Sequence, residues 1–471
     1  MDENKLKEFF NIRNNHRILN PPKAEIQNLQ NLYNDNKLDA VLAETQKYIY
    51  DYPSSLPIWN LMGATAAQMG ELNCAKWAFE NALQLKPDSA QIHNNLGNVQ
   101  LDCEDIQGAV DSFKKALSIE PNYAEAYNNL GNAFVHQANM QTALFLYAKA
   151  LILNPNYITA AYNYIDLKAQ LSGSIVLEKD IESNLDRLVE KFDKQPTFQI
   201  VKAVEALIKN KIDLSSKYLE NFHGSDNKLK YMLSAKEKAF CFGYSSFLDK
   251  IIRSSNKDVF QKPDDNIVYH LGESHCLSYA HQKFSLSGQS YKIVPKITFG
   301  AKAYHFASGK KNKFKSITQT HLNEIPSYSR VLVSFGEIDC RSTDGIIPAS
   351  IKLQLPREKI VSQTVKEYLD WLNENNLVKK HDLFILNIPC PVYNYDISKK
   401  LNSQVAETVR LFNAALNRHM NAYKFNLIDV YGFSAGGDDF SNGRYHVDGY
   451  HLGREALPKI TKQLSDIISK N

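Results

Sequence analysis

Pro53, Pro87, Pro121 and Pro155 recur at intervals of 34 residues. Such a period constrains the chain more than its composition does, because it sets the size of a unit that must stack on its neighbours to bury its apolar face. One unit carries Trp59, Gly63, Ala75, Phe79, Ala82 and Pro87. The next carries Leu96, Gly97, Ala109, Phe113, Ala116 and Pro121, and a third carries Tyr127, Leu130, Gly131, Ala143, Tyr147, Ala150 and Pro155. Small residues let two helices approach closely, an aromatic ring fills the gap between them, and proline ends the second helix. A weaker unit ending at Pro53 precedes these, with Leu29 and Leu32 in helical spacing.

The pattern resembles the tetratricopeptide repeat family, whose unit is an antiparallel helix pair, and the matched units cover roughly residues 56–157. The resemblance implies an all-α superhelix that binds a protein or an extended peptide in its groove. Asn94, Asn95 and Asn98 in one unit recur as Asn128, Asn129 and Asn132 in the next. Asparagines at these phases either hydrogen-bond the backbone of an extended peptide or simply cap turns and face water. Helical spacing continues through 176–192 and 197–222, as expected of segments that cap or extend a solenoid. A domain boundary is expected near residues 255–265, within the polar, proline-containing stretch 254–266. The expected domains are repeats over 22–170, a helical extension or cap with linker over 171–262, and an α/β domain over 263–471.

Composition excludes some function classes. A net charge of +4 over 471 residues gives no argument for nucleic acid as a partner. No segment approaches the ~20 apolar residues of a membrane span, and residues 1–19 lack the apolar core of a signal peptide. The six cysteines show no CxxC pair or zinc spacing, which predicts free thiols in a reducing, cytoplasmic setting. No ligand spacing links His275, His281, His305 and His446, so neither metal nor cofactor is expected.

From residue 266 apolar runs alternate with helical patterns. The runs are 266–271, 291–299, 330–335, 382–388 and 425–430, and the chain ends on an amphipathic helix. This alternation predicts a parallel sheet with helices on both faces and reactive groups at the C-terminal ends of the strands. Two polar clusters fit that edge. Gly272-Glu273-Ser274-His275 follows the first run, and His446-Val447-Asp448-Gly449-Tyr450-His451 precedes the last helix. They supply a serine, a histidine and a carboxylate, the groups that make a hydroxyl nucleophilic at neutral pH.

With these residues the last ~200 positions resemble the SGNH or GDSL hydrolase superfamily. Gly272-Glu273-Ser274 is similar to its Gly-Asp-Ser block, with Glu for Asp, and Asp448 to His451 to its Asp-x-x-His block. Gly336-Glu337-Ile338-Asp339 stands where the family has Gly-x-Asn-Asp. The resemblance implies a flavodoxin-like three-layer α/β sandwich and acyl-ester chemistry through Ser274. His451 would be the base, Asp448 would orient it, and the Ser274 and Gly300 amides would face the oxyanion. Ile338 replaces the family asparagine, and losing one such donor costs ~3 kcal/mol of transition-state stabilisation. Glu337, Asp339, Arg341 and His275 are the polar residues that can reshape the pocket, with Arg341 the best substitute cation and an Asp339–Arg341 ion pair its structural counterpart. Cys276, near a helix start, is either a buried thiol or one of lowered pKa.

Three functions follow. The first is an esterase acting on an acyl ester, with acylated carbohydrate as one substrate class and the repeats recruiting a protein. The second is a glycan O-acyltransferase using the same serine. The third is a catalytically inactive scaffold.

Overall fold

The computed structural model describes residues 20–171, 179–253, 266–437 and 439–470. Residues 1–19, where no signal peptide is expected, residues 176–178 of the expected helical segment 176–192, and the boundary stretch up to residue 265 lie outside the described residues. The chain forms two units, residues up to 160 and residues 161–471.

The first unit contains α1 (Lys23–Asn34), α2 (Leu38–Asp51), α3 (Leu56–Met69), α4 (Leu72–Leu85), α5 (Ala90–Asp102), α6 (Ile106–Ile119), α7 (Ala124–His136) and α8 (Met140–Leu153). Each periodic proline falls two residues beyond a helix end: Pro53 after α2, Pro87 after α4, Pro121 after α6 and Pro155 after α8. The glycine at the repeat's first helix is dictated by close approach. A Cβ on Gly97 would lie 2.6 Å from the Phe113 ring, and one on Gly131 2.6 Å from Tyr147. Phe113 is fully buried, which contributes about 1.5–3 kcal/mol. Asp105 and Asn139 cap α6 and α8 by accepting from the backbone amides of Gly108 (3.0 Å) and Thr142 (3.2 Å).

In the second unit, α9 (Ile158–Gln170) begins just before the division, and α10 (Lys179–Glu190), α11 (Pro196–Ile208), α12 (Ile212–Gly224), α13 (Asn227–Tyr231) and α14 (Ala235–Arg253) follow. The apolar faces of α11, α12 and α14 share one core with Cys276, Leu277, Ala280 and Ile297 of the sheet region. The sheet comprises β1 (Asn266–Gly272), β2 (Lys283–Leu286), β3 (Gln289–Ile297), β4 (Arg330–Ser334), β5 (Asp382–Leu386) and β6 (Asn426–Ile428), in the order β2-β3-β1-β4-β5-β6. It is mixed rather than parallel as expected. β2 pairs antiparallel with β3 through a two-residue turn at Ser287 and Gly288, both at positive φ, which matches the twist of a tight hairpin. Every other pairing is parallel.

The remaining helices are α15 (Ala303–Ala307), α16 (Lys313–Glu324), α17 (Ile346–Leu353), α18 (Arg357–Asn376), α19 (Lys399–Met420), α20 (Val430–Ser434) and α21 (Leu457–Ile468). Alternation along each strand divides the apolar residues between two faces. Val331, Val333, Leu383 and Ile385 pack with Leu322 of α16, Tyr368 of α18 and Phe412 of α19. Leu332 and Phe384 pack with Ile460 and Leu464 of α21. Gly272 at the end of β1 lies in register with Ile297 of β3 and Ser334 of β4. The loops after these three strands therefore leave the sheet at one edge.

Candidate active site

The chain breaks after Gly272 into a single 3-10 turn, Ser274–Leu277, in place of the helix start expected there. The second cluster folds as a tight hairpin. His446 bridges Leu452, and the Val447 amide donates to the His451 carbonyl at 2.9 Å. Inside it Asp448 Oδ1 accepts from the amides of Tyr450 (2.8 Å) and His451 (2.7 Å). That cage leaves Oδ2 free for His451 Nδ1 at 2.8 Å. The spacing Asp-x-x-His thus has a local cause: one carboxylate holds both the backbone and the ring of the residue three positions on.

His451 Nε2 in turn lies 2.7 Å from Ser274 Oγ, although the two residues are 177 apart in sequence. Since Asp448 takes the Nδ1 proton, a neutral His451 presents a lone pair to the hydroxyl. Burial would raise the Asp448 carboxyl, but the hydrogen bond and charge of His451 outweigh it and hold the group well below the ordinary carboxylate range. Ser274 and His451 are 7% and 8% exposed.

The site has further members, of which His275 alone was expected from sequence, as a pocket residue. Glu273 hydrogen-bonds Ser274 Oγ through Oε2 and His275 Nδ1 through Oε1. His275 Nε2 lies 3.1 Å from the Tyr450 carbonyl. Burial disfavours both charges, but each partner stabilises the other, so Glu273 is lowered to about 2 and His275 raised to about 9. From α14, Phe247 stacks on the His451 ring and Tyr244 hydrogen-bonds Ser274. The only hint in the sequence is an aromatic pair at i and i+3, which reads equally well as helix core.

The β4 loop is arranged differently from the expectation. Asp339 does not pair with Arg341. It is buried and accepts from the amides of Ala303 (2.7 Å) and Tyr304 (3.0 Å), anchoring α15. Burial pushes its carboxyl up to about 6 against those bonds. Arg341 instead makes a fork with Glu337 at 3.0 and 2.5 Å and stacks over Tyr450 at 4.4 Å, so its charge is already offset. Gly336 has φ +116, and a Cβ there would lie 2.7 Å from Phe412. Ile338 is 9% exposed. Gly300 is exposed at φ +66, in the loop after β3. The Cys276 thiol is pushed well above its ordinary value by burial, which overturns the lowered-pKa reading.

Two clefts are bordered by neighbours of Ser274, Asp448 and His451, though by none of these three themselves. One, of about 520 Å³, is bordered by Arg341, Asn394, Asn402, His446 and Tyr450. The other, of about 370 Å³, is bordered by Glu273, His275, His270 and Leu452. Both include Glu337, Ile388 and Pro389, so they meet at one wall. Glu273, His275 and His451 each bring a metal-ligating atom within 4.8 Å of the others. All four imidazole nitrogens already have partners, so a metal would have to displace Ser274 or break the Glu273–His275 pair.

In the first unit the asparagines lean on one another. Asn129 donates to Asn94 at 3.0 Å, Asn128 to Asn129 at 3.2 Å, and Tyr147 to Asn132 at 2.7 Å. Asn94 and Asn128 are buried, while Asn95 and Asn98 are half-buried.

The architecture is a helical repeat region followed by a second, mixed-sheet α/β unit. The N-terminal region holds the repeats: residues 101–137 match a TPR repeat family and 124–157 a tetratricopeptide repeat family. No curated protein matches the chain. Among solved structures, PilW, a type IV pilus biogenesis factor, is 19% identical, with 45% of this chain and 97% of that one covered and a TM-score of 0.37. PilF of Pseudomonas aeruginosa is 18% identical over 46% and 95%, at a TM-score of 0.36. YrrB, a TPR protein with an unusual peptide-binding site, is 20% identical over 38% and 90%, at 0.30. Likeness at this level carries no functional argument. Among the described residues no helix is long and apolar enough to cross a membrane.

Proposed function

We propose that the second unit is an SGNH-like serine esterase acting on acyl esters, with acylated carbohydrate as a candidate substrate, and that the repeats dock it to a protein. The observation that carries this reading is the relay Ser274 Oγ to His451 Nε2 at 2.7 Å and His451 Nδ1 to Asp448 Oδ2 at 2.8 Å. The strand order supports it as well. Leaving aside β2, the parallel strands run β3-β1-β4-β5-β6, the flavodoxin-like order, with helices on both faces. On this reading the domains are those expected from sequence, with repeats over 22–170, an intervening helical region over 171–262 and the catalytic domain over 263–471. Free thiols at all six cysteines fit a reducing, cytoplasmic compartment.

In the reaction, Ser274 loses its proton to His451 Nε2 as Oγ attacks the ester carbonyl. Asp448 stabilises the imidazolium, which then protonates the leaving alkoxide. Water repeats the sequence on the acyl-enzyme. The Ser274 and Gly300 amides are the proposed oxyanion donors.

A second reading, transfer of the acyl group to a sugar hydroxyl, is favoured by Ile338 at the asparagine position. A scaffold without catalysis is the reading that remains if the serine is inert. Incubating the purified chain with p-nitrophenyl acetate, with and without added sugars, separates these. Ser274-dependent release of nitrophenol without an acceptor supports hydrolysis, and release only with acceptor supports transfer. No release with either, from folded protein, sinks both enzymatic readings.

A further inference from the structure

β3 runs beside β1 until both strands end. Gly272 lies in register with Ile297, and the Thr298 amide donates to the Gly272 carbonyl at 2.8 Å. The turn after β3 therefore starts level with the break that carries Ser274. In that turn the Ala301 amide donates to the Thr298 carbonyl at 3.2 Å, and Gly300, but not Phe299, has a positive φ. These are the marks of a type II turn, whose third position favours glycine. Among the described residues the Gly300 amide makes no hydrogen bond, and a Cβ on Gly300 would meet no atom within 4 Å. A free donor beside open space is what an incoming anionic oxygen requires.

The group that holds this turn comes from outside the sheet. Gln170, at the end of α9, is buried, and its Oε1 accepts from the Phe299 amide at 3.1 Å. The Phe299 N–H can only donate, so the Gln170 amide must face it with oxygen. That turns Nε2 toward Asp166, one helical turn back, where it donates to Oδ2 at 3.0 Å. The Phe299 ring is held too, with its centroid 5.6 Å from Tyr244 and 6.0 Å from Phe240 of α14. A type II turn becomes type I by rotation of its central peptide alone, which sends the Gly300 N–H to the opposite side. Gln170 fixes the peptide on one side of that hinge, and the ring contacts fix the residue within it.

We propose that Gln170 is a positioning residue of this site, holding the turn after β3 in the form that aims the Gly300 N–H at the oxyanion. The inference rests on the serine-esterase reading above. Gln170 touches no reacting atom and acts through the Phe299 backbone. It places part of the machinery on α9, outside the segment 263–471 proposed as the catalytic domain.

The test is steady-state hydrolysis of p-nitrophenyl acetate by the full-length wild type and Gln170→Met, together with binding of an alkyl trifluoromethyl ketone. The ketone mimics the tetrahedral species: Ser274 Oγ bonds its carbonyl carbon, the π pair moves to oxygen and the serine proton passes to His451. Methionine keeps the length of glutamine but has no carbonyl to accept from Phe299. The value of kcat should fall about 10–100-fold with KM within about twofold, since the displaced donor acts in the transition state. Ketone affinity should fall by the same factor as kcat/KM, a match that a general loss of stability would not produce. Ketone affinity equal to wild type, or a rise in KM alone, would overturn the role of Gln170 while leaving the serine reading intact. Wild type that neither turns over the ester nor binds the ketone would overturn the serine reading and this inference with it. If Gln170→Met does not fold, Asp166→Leu takes its place, since it frees the amide to turn its nitrogen toward Phe299. The same paired loss would support the proposal, and turnover equal to wild type would overturn it.

Discussion

Phe247 and His451 lie face to face, their ring centroids 4.1 Å apart and their planes 28° from parallel. The contact joins α14, in the helical region before the sheet, to the hairpin that carries the candidate base. Replacing Phe247 by Leu keeps apolar volume but removes the stack, worth about 0.5–1.5 kcal/mol. The variant should fold, with a small fall in unfolding midpoint, and should label severalfold more slowly with a fluorophosphonate. An unchanged rate would mean that the ring does not position His451.

Asp448 holds His451 in the tautomer that the relay needs. Asp448→Asn can donate as well as accept, which allows the ring to turn its proton toward Ser274. Ester turnover should drop by about 10³–10⁴-fold, with the circular dichroism spectrum unchanged. A loss below tenfold would remove Asp448 from the mechanism.

The Glu273–His275 pair makes stability depend on pH with a defined sign. His275 rises from an ordinary 6.5 to about 9 in the folded state, so its contribution is complete below 6.5 and is lost as pH rises through about 9. Glu273 is lowered from 4.5 to about 2, so its contribution is complete above 4.5 and is lost as pH falls through about 2. Urea midpoints should therefore be highest between these limits. On the alkaline side the fall should be on the order of 3 kcal/mol, and it should flatten in His275→Gln. An equal alkaline slope in both proteins would contradict the ion pair.

The asparagines of the repeats divide by their surroundings. Asn95 and Asn98 are half-buried, whereas Asn94 is buried and accepts from Asn129. If the groove binds an extended peptide, Asn95→Ala with Asn98→Ala should weaken capture of an identified partner about tenfold with little change in stability. Asn94→Ala should lower stability by about 1–3 kcal/mol. Binding indifferent to the double change would leave these asparagines a purely structural part.

The repeats were legible because their signal is periodic and local. Gly97 and Gly131 recur where Phe113 and Tyr147 press against the partner helix, and each proline stops a helix. The Asp448-to-His451 spacing was legible for the same reason, since one short hairpin makes both contacts. The contributions of Glu273, Tyr244 and Phe247 were not. They depend on how α14 and the 3-10 turn pack against the hairpin, and no sequence period records that. The antiparallel β2 was hidden because four residues next to a tight turn carry too little alternation. The expected Asp339–Arg341 pair was wrong because carboxylates at 337 and 339 both flank the arginine in sequence, and only the backbone path decides which one reaches it.

The most direct measurement is intact-mass analysis of the full chain after fluorophosphonate treatment, beside Ser274→Ala and His451→Ala. The relay predicts one adduct on the wild type, located at Ser274 by peptide mapping, and none on either variant. Folded wild type that stays unmodified, or an adduct that persists in Ser274→Ala, would contradict an activated serine at this site.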